Sequence, residues 1–282
     1  MAATSMKDIK LRIKSIESTM QITKAMQLVA TSKLRRAKER MEQSRPYAQI
    51  AREAVVTASL NCADPSIPYL VQQKDRKDCY IVIAGERGLA GGYNNNLFKA
   101  QLAHAQDREY CVLPIGRKAI EKYHRLGVQV LDDSYAAVES LNVSSCYKIA
   151  KQLLQQFKEG NFGNLYLVYT SFKSMMSQEA EIMQLLPVLT DASTGKERPV
   201  STIYDPDAAE VLEKIMPDYL AGTLYSATCN SFLSEVASRR SAMDSATKNA
   251  GEMINDLRLK FNRARQGAIT QEITEIVAGA EQ

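Results

Sequence analysis

The glycine-rich stretch Gly85-Glu-Arg-Gly-Leu-Ala-Gly-Gly-Tyr-Asn94 is the part of the sequence best suited to chemistry, because it lies between a predicted strand and a predicted helix. A loop of this kind can bind a phosphate through its backbone N–H groups. Its glycines, however, follow neither the GxGxxG nor the GxxxxGK[ST] spacing, and no acidic residue stands in a suitable place about 20 residues later. We therefore expect a tight structural turn and no cofactor, with a dinucleotide-binding enzyme as the alternative.

The histidines and cysteines form no recognisable metal-binding or catalytic pattern. His104 and His124 have no Cys, His or carboxylate partner at ligand spacing. The five cysteines are widely spread and include no CxxC pair, so we expect idle thiols in a reducing compartment. No GxSxG motif is present. The residue patterns therefore predict a chain that is not an enzyme and binds no metal.

Basic residues are concentrated near the start of the chain. Residues 5–45 contain eleven lysines and arginines against four acidic residues, whereas the whole chain has a net charge of only +4. A basic end indicates an acidic partner. The run at residues 33–40 fits a nucleic-acid contact, a solvated helix face or a docking stripe for acidic protein loops. It lacks the interleaved aromatic residues of a nucleic-acid reader, so we favour acidic protein loops and expect no nucleic acid.

The N-terminal region predicts one long helix over residues 6–60. Apolar residues recur every three or four positions along one face, at Ile9, Ile13, Ile16 and Met20. A second apolar set lies on another face, at Ile22, Met26 and Val29. A helix that is apolar on two sides is expected to have partners on both. Pro65 and Pro68 end the segment.

The C-terminal region also predicts a long helix. It begins at Asp205-Pro206, with the aspartate as N-cap and the proline at the first helical position. It continues to about residue 280, with interruptions at Pro217, Gly222 and Gly251. Small and apolar residues step along it by three or four, which is typical of a coiled-coil seam: Met243, Ala246, Ala250, Met253, Leu257, Phe261, Ala264 and Ala268.

The middle of the chain alternates between strand and helix patterns, which predicts a partly parallel, Rossmann-like α/β domain. The predicted strands are residues 79–84, 110–115, 165–170 and 179–189, and the predicted helices are 95–105 and 146–157. The two terminal helices cannot bury their stripes alone, so we expect them to pair as an antiparallel coiled coil. The predicted fold class is α/β, with a coiled coil from residues 1–75 and 207–282 and an inserted domain at 76–206.

Several segments of the sequence match the motifs of one known protein family. The first helix is similar at Ile22-Thr-Lys-Ala-Met26, Val29-Ala-Thr-Ser-Lys-Leu-Arg-Arg36 and Ser44-Arg-Pro-Tyr47. The loop Glu86-Arg-Gly-Leu-Ala-Gly-Gly92 resembles the first turn of the family's α/β domain, although Ala90 replaces a commonly seen cysteine. Residues 269–280 carry the family signature Ile-Thr-x-Glu-x-x-Glu-x-x-x-Gly-Ala. Together these segments resemble the F-type ATP synthase γ family, and the resemblance covers residues 6–280. The cysteine-containing insert of chloroplast members is missing, and the N-terminal and Ser44–Tyr47 segments resemble the bacterial type.

The resemblance implies a non-catalytic rotor subunit of the central stalk. Such a subunit turns inside a ring of three α and three β subunits and couples proton or sodium flow to ATP synthesis. Its implied partners are the α, β and ε subunits and the c ring. The implied β contacts are Met26, Arg35, Arg36, Arg239, Gln266, Thr270 and Glu272, and Tyr204 and Asp205 match a position near the c ring. An ordinary exposed helix face is the alternative for each contact residue.

The resemblance also implies a place in the cell. The sequence contains no run of 18 apolar residues and no leader, so we expect a soluble protein. A γ-like subunit would lie at the cytoplasmic face of the bacterial plasma membrane as a peripheral protein, attached only through the membrane-embedded Fo sector.

Overall fold

The computed structural model describes residues 6–62, 67–71, 73, 76–106, 108–188 and 202–280. The helices are α1 (Met6–Asn61), α2 (Tyr93–Ala105), α3 (Arg117–Leu126), α4 (Val143–Lys158) and α5 (Ala208–Ala280). The strands are β1 (Asp78–Ile83), β2 (Tyr110–Ile115), β3 (Gln129–Val130), β4 (Asn164–Phe172) and β5 (Gln178–Leu186). Short 3₁₀ turns occupy Pro68–Leu70 and Val138–Ser140. The chain divides into a helical unit, formed by the described residues up to Thr31 and from Arg239 onward, and an α/β unit, Ser32–Ser238.

The helical unit is an antiparallel pair of helices, as the apolar stripes predict. Hydrogen bonds between described residues of this unit join α1 to α5, and their residue numbers rise on α1 as they fall on α5. The bonds link Glu17 to Arg258 (2.9 Å), Thr23 to Thr247 (2.8 Å) and Gln27 to Asp244 (2.9 Å). The buried apolar residues of this unit are Ile9, Ala30, Met243, Ala250 and Ile254.

The predicted seam on α5 needs two corrections. Met253 is 48% exposed, whereas its neighbour Ile254 is only 4% exposed and occupies the seam. A step of four from Ala250 thus replaces the predicted step of three, as the 3.6-residue period allows. Ala268 is exposed because α1 begins at Met6 and does not reach so far along α5. From residue 265 to 277, every side chain is exposed in the described chain.

The second apolar set on α1 has no partner helix within the described helical unit. Ile22 and Val29 are exposed, and Met26 is half-buried. Within the described chain, α1 therefore has a packing partner on only one of the two apolar sides for which partners were predicted.

The α/β unit contains a five-stranded sheet in the order β3-β2-β1-β4-β5, with β5 antiparallel to the rest. The Rossmann-like expectation is confirmed, although β3 and α3 were not predicted. Both faces of the central strands are covered, so β1, β2 and β4 are almost entirely buried, whereas the edge strand β5 is only partly buried over most of its length. On β1, for example, Ile81 and Ile83 join the core shared with α1, α4 and α5, while Tyr80 and Val82 join the core shared with α2 and α3.

The predicted start of α5 is wrong by two residues. The capping side chain is that of Asp207, whose Oδ1 accepts a hydrogen bond from the Glu210 N–H at 2.8 Å. Asp205 and Pro206 precede the helix, which begins at Ala208. The cap needs a side-chain oxygen within reach of the free N–H groups of the first turn, and Asp207 meets that condition.

The predicted interruptions at Pro217, Gly222 and Gly251 are also wrong, because α5 is continuous across all three. Gly222 has a packing role instead. A Cβ atom at this position would lie 2.6 Å from Cε1 and 2.8 Å from Cδ1 of the Tyr47 ring on α1. The glycine thus allows the two helices to approach closely at Tyr47.

Replacing Gly222 by alanine should destabilise the protein by about 1 kcal/mol, because the clash with Tyr47 outweighs the helix propensity that alanine adds. In a Tyr47→Ala background, the same substitution should become stabilising, by up to about 1 kcal/mol. Urea unfolding of the single and double variants measures both effects. Gly251→Ala is the matched control, since nothing lies within 4 Å of its Cβ position. An equal loss of stability in both backgrounds would exclude Tyr47 as the cause.

Candidate functional site

The carboxyl edge of the sheet is where a Rossmann-like fold binds nucleotides. The strand order reverses between β1 and β4, and ligands of such sheets lie in the crevice at that point. Here α5 crosses the crevice and is hydrogen-bonded to its walls. The Ser231 Oγ accepts from the Thr170 N–H (3.1 Å), the Ser234 Oγ donates to the Thr170 carbonyl (3.1 Å), and the Ser238 Oγ donates to the Ala90 carbonyl (2.7 Å). The space that a nucleotide would need is occupied by protein.

The glycine-rich loop at residues 85–94 is held by its own neighbours. The Gly85 N–H donates to the Asn94 Oδ1 at 2.9 Å, and the Gly85 carbonyl accepts from the Lys118 N–H at 3.0 Å. A Cβ at Gly85 would lie 3.0 Å from the carboxylate of Glu235, which is buried. The Glu235 side chain therefore fills the space beside Gly85 that a bound phosphate would need. This geometry supports the structural interpretation of the loop and opposes the dinucleotide alternative.

The surroundings of the remaining candidate residues for catalysis or metal binding indicate structural roles. His104 lies 2.9 Å from the Tyr80 hydroxyl and edge-on to the Tyr166 ring, and burial lowers its pKa. Burial raises the pKa of the Cys146 thiol to about 12, which makes it a poor nucleophile at neutral pH. No cluster of three His, Cys, Asp or Glu side chains that could hold a metal occurs among the residues that the structure describes.

The predicted contact residues of the helical unit do not form one patch. Met26 is half-buried on α1, near the level of residue 245 on α5 as judged from the Gln27–Asp244 bond. Arg239 is also half-buried. It lies about 9 Å from that level along the axis of α5, at ~1.5 Å per residue. Gln266 lies about 31 Å away in the other direction by the same measure. Thr270 and Glu272 follow it on the exposed length of α5.

That exposed length carries an apolar stripe that the sequence reasoning did not single out. Ile269, Ile273, Ile276 and Val277 recur at helical spacing, and all four are exposed. The signal was available in the sequence, because apolar periodicity continues beyond the point where α1 can pair with α5. An apolar helical stripe without a partner in its own chain indicates a contact with another molecule.

The basic side chains at residues 33–40 lie on two different faces of α1 in the α/β unit. Arg35 is 85% exposed at its side chain and forms only a 3.8 Å ion pair with Glu39, and Arg36 is also exposed. Lys33 instead forms a 2.6 Å ion pair with Glu139, and the Arg40 guanidinium donates to the Tyr225 hydroxyl and the Glu139 carbonyl, both at 3.0 Å. The outward arginines are the two that were predicted as partner contacts.

Arg40 is a structural residue that the sequence reasoning missed. Burial, the largest single effect, acts to lower the pKa of its guanidinium, but the hydrogen bond to Tyr225 and the electrostatic effects of Cys229, Tyr225 and Cys146 together exceed it, so the pKa is raised. The spacing of Lys33, Ala37 and Arg40 places them on one helix face, and Ala37 is buried. A small buried residue between two cations was the available signal that this face packs inward.

The residues predicted to lie near the c ring, Tyr204 and Asp205, are adjacent in sequence and precede α5. Tyr204 is half-buried and packs against the core, with its hydroxyl 3.4 Å from the Asn61 Nδ2. Asp205 is exposed, and the preceding Ile203 is 93% exposed. The structure thus presents an exposed isoleucine and carboxylate at this position, and Ile203 had not been predicted.

Comparison with known proteins identifies the class. The family model described as ATP synthase matches residues 5–282. The ATP synthase γ chain of Ruminococcus albus is 44% identical over 277 residues, covering 96% of each chain, and that of Lachnoclostridium phytofermentans is 41% identical over 285 residues, covering 98% of each. The γ chain of Xanthomonas campestris is 40% identical and covers 97% of this chain and 98% of the relative.

Solved structures show the same fold at lower identity. The chain is similar to a rotor chain of the Euglena gracilis mitochondrial ATP synthase, with a TM-score of 0.67 and 16% identity over 94% of this chain and 98% of the other. A chain of the Tetrahymena thermophila central stalk and c ring gives 0.57 and 22% identity, over 80% and 99%. The family model and the relatives show that the chain is an ATP synthase subunit. It belongs to the ATP synthase γ-chain family.

None of the helices in the described ranges is both long and apolar enough to span a bilayer.

Proposed function

We propose that the chain is the rotor shaft that turns within a ring of three α and three β subunits and couples transmembrane proton or sodium flow to ATP synthesis. The observation that carries this proposal is the 44% identity to a γ chain over 96% of both sequences. The shape of the helical unit fits the role. A long helix with an exposed apolar end can be enclosed by surrounding subunits. Because a helix pair is not symmetric about its long axis, it can present different contacts to three catalytic sites.

The shaft itself would carry out no catalysis. Two observations support this part of the proposal: α5 fills the crevice at the sheet's switch point, and a buried carboxylate lies against the glycine-rich loop. ATP would be made and hydrolysed on other subunits. Contact with the shaft would change their affinity for nucleotide by favouring one conformation over another.

The contacts with the β subunits would lie on exposed and half-buried helix faces at Met26, Arg35, Arg36, Arg239, Gln266, Thr270 and Glu272. Arg35 and Arg36 present two outward guanidinium groups that suit acidic loops. Exposed ion pairs contribute about 0–1 kcal/mol each, so a rotor can exchange them at each step of a turn. The c-ring contact would involve Tyr204 and Asp205, and the ε subunit would dock on the α/β unit.

The proposed location is the cytoplasmic face of the bacterial plasma membrane, with attachment through the Fo sector. The bacterial relatives of 40–44% identity support the compartment.

Co-purification tests the proposal directly. A tagged full-length chain, co-expressed with α, β and ε subunits of a bacterial ATP synthase, should retain all three after nuclease treatment and a high-salt wash. The purified complex should hydrolyse ATP, and the chain alone should not. Recovery of nucleic acid in place of the subunits, or ATP hydrolysis by the chain alone, would contradict the assignment.

A further inference from the structure

The α/β unit contains a cleft that the rotor role does not use. It has a volume of about 510 Å³ and lies between α1, α5 and the β4–β5 hairpin. Apolar side chains such as Leu167, Phe172 and Met183 form part of its lining. Its volume falls within the range of small-molecule sites, roughly 300–1,000 Å³. The polar groups in this cleft, defined by Arg45, Arg52, Lys173 and Thr223 and called the basic cleft below, determine what it can bind.

Two arginines on α1 point to an anion. Arg45 and Arg52 are seven residues apart, which is about two helical turns, so they lie on the same face. Both line the basic cleft, and neither forms an ion pair or hydrogen bond with any residue that the structure describes. A guanidinium group is a planar fork of donors that matches the oxygens of phosphate and carboxylate. The guanidinium groups of Arg45 and Arg52 are therefore both available to bind the same ligand.

A third cation faces them from the hairpin. Lys173 forms a 2.6 Å ion pair with Glu181, whose other oxygen accepts from the Tyr169 hydroxyl at 2.7 Å. This hydrogen bond to Glu181 raises the pKa of Lys173, and the charge of Arg45 acts in the opposite direction, so the two cations are close enough to repel each other. The lining holds three cations and one carboxylate, so the basic cleft has an excess of positive charge.

The Thr223 hydroxyl is a buried polar group without a partner. Its residue is 8% exposed, and its Oγ1 makes no hydrogen bond within the described part of the chain. Thr228, one turn further along α5, donates instead to the Leu224 carbonyl at 2.8 Å. A buried hydroxyl without a partner is destabilising. Thr223 lines the cleft, but its Oγ1 has almost no accessible surface, so a change of side-chain rotamer would have to turn the hydroxyl toward the cleft before a ligand oxygen accepts its proton.

We propose that the basic cleft binds a small polyanion carrying at least two phosphate or carboxylate groups. The Arg45 and Arg52 guanidinium groups each bind one anionic group, Lys173 adds charge, and the Thr223 hydroxyl donates to a ligand oxygen. The site lies apart from the glycine-rich loop, and nothing in the proposed rotor role requires it.

Calorimetric titration of the full-length chain at low ionic strength tests the proposal. The probes are inorganic pyrophosphate for the phosphate group, citrate for the carboxylate group and a glutamate-rich peptide for a protein partner. We expect saturable binding of pyrophosphate, citrate or both. Arg45→Gln and Arg52→Gln should each weaken that binding about tenfold or more, as expected for a charge-assisted hydrogen bond. Arg12→Gln is the matched control, because Arg12 is an exposed arginine of α1 outside the cleft.

Thr223→Val gives an independent readout. It removes the unpaired hydroxyl and nearly keeps the shape, so it should raise the melting temperature of the free chain and weaken anion binding. The proposal is overturned if neither small anion binds, or if Arg12→Gln weakens binding as much as the cleft variants do. It is also overturned if only the acidic peptide binds, which would make the cleft a docking site for protein, or if Thr223→Val leaves the anion affinity unchanged.

Discussion

Replacing Gly116 by alanine is expected to destabilise the α/β unit strongly. Gly116 has φ +94°, and a Cβ at this position would lie 2.1 Å from the backbone carbonyl oxygen of Ala84. With ψ 139°, this backbone conformation is one that glycine adopts far more readily than an L-residue, at a cost on the order of 1–3 kcal/mol, and a clash with fixed backbone adds to it. The combined loss should be on the order of 3 kcal/mol or more, which is a large fraction of a typical domain's stability. Circular dichroism with urea unfolding measures it.

Gly127→Ala is the control for the Gly116 experiment, with a positive φ but without the clash. Gly127 follows α3 with φ +66°, and nothing lies within 4 Å of its Cβ position. Alanine there meets the left-handed penalty without a clash, so the loss should be about 1 kcal/mol. Equal losses in the two variants would show that contact with the Ala84 carbonyl has no energetic role.

Replacing Met26 by lysine is expected to uncouple the motor. Under the proposed function, Met26 faces acidic loops of the β subunits, and a lysine there would form a charge-assisted bond that the rotor must break at each step. Such a bond contributes about 1.5–3 kcal/mol, more than the exposed pairs it would join. ATP hydrolysis should persist while ion pumping falls severalfold relative to it. Both rates are measured on the complex reconstituted in vesicles.

Met26→Gln is the control, because glutamine is about as long as methionine and has a polar end, as lysine does, but carries no charge. It should pump at nearly the normal ratio. Equal losses of hydrolysis and pumping in Met26→Lys, or the same uncoupling in Met26→Gln, would remove the charge-based contact. The fold should survive both changes, because Met26 is only half-buried and lies outside the sheet's core.

The long helices were predictable because their stability comes from periodic apolar stripes, which are visible in one dimension. Ile9 and Met243 lie in the helix pair as the pattern indicates. The stripe could not distinguish Met253 from Ile254, because a 3.6-residue period permits steps of three or four. The start of α5 was misassigned since Asp205 and Asp207 both have a capping side chain, and only the geometry shows that Asp207 reaches the Glu210 N–H.

Other features depend on contacts between distant segments and could not be read from the sequence. β3 has only two residues, and its pairing with β2 defines it better than its composition does. The inward role of Arg40 depends on Tyr225, 185 residues later. The basic cleft likewise combines Arg45, Lys173 and Thr223, which belong to three separate elements. The blocked crevice could not be foreseen, because nothing in the glycine-rich loop indicates that α5 crosses it.

The exposed length of α5 beyond residue 264 has a consequence for assembly. An isolated helix of about 12–15 residues is only marginally stable in water, because the nucleation cost is balanced by few backbone bonds. This end has no tertiary packing within the described chain, so enclosure by other subunits would supply the missing stabilisation. Its insertion would then be coupled folding and binding, in which part of the interaction free energy orders the segment and does not add to affinity.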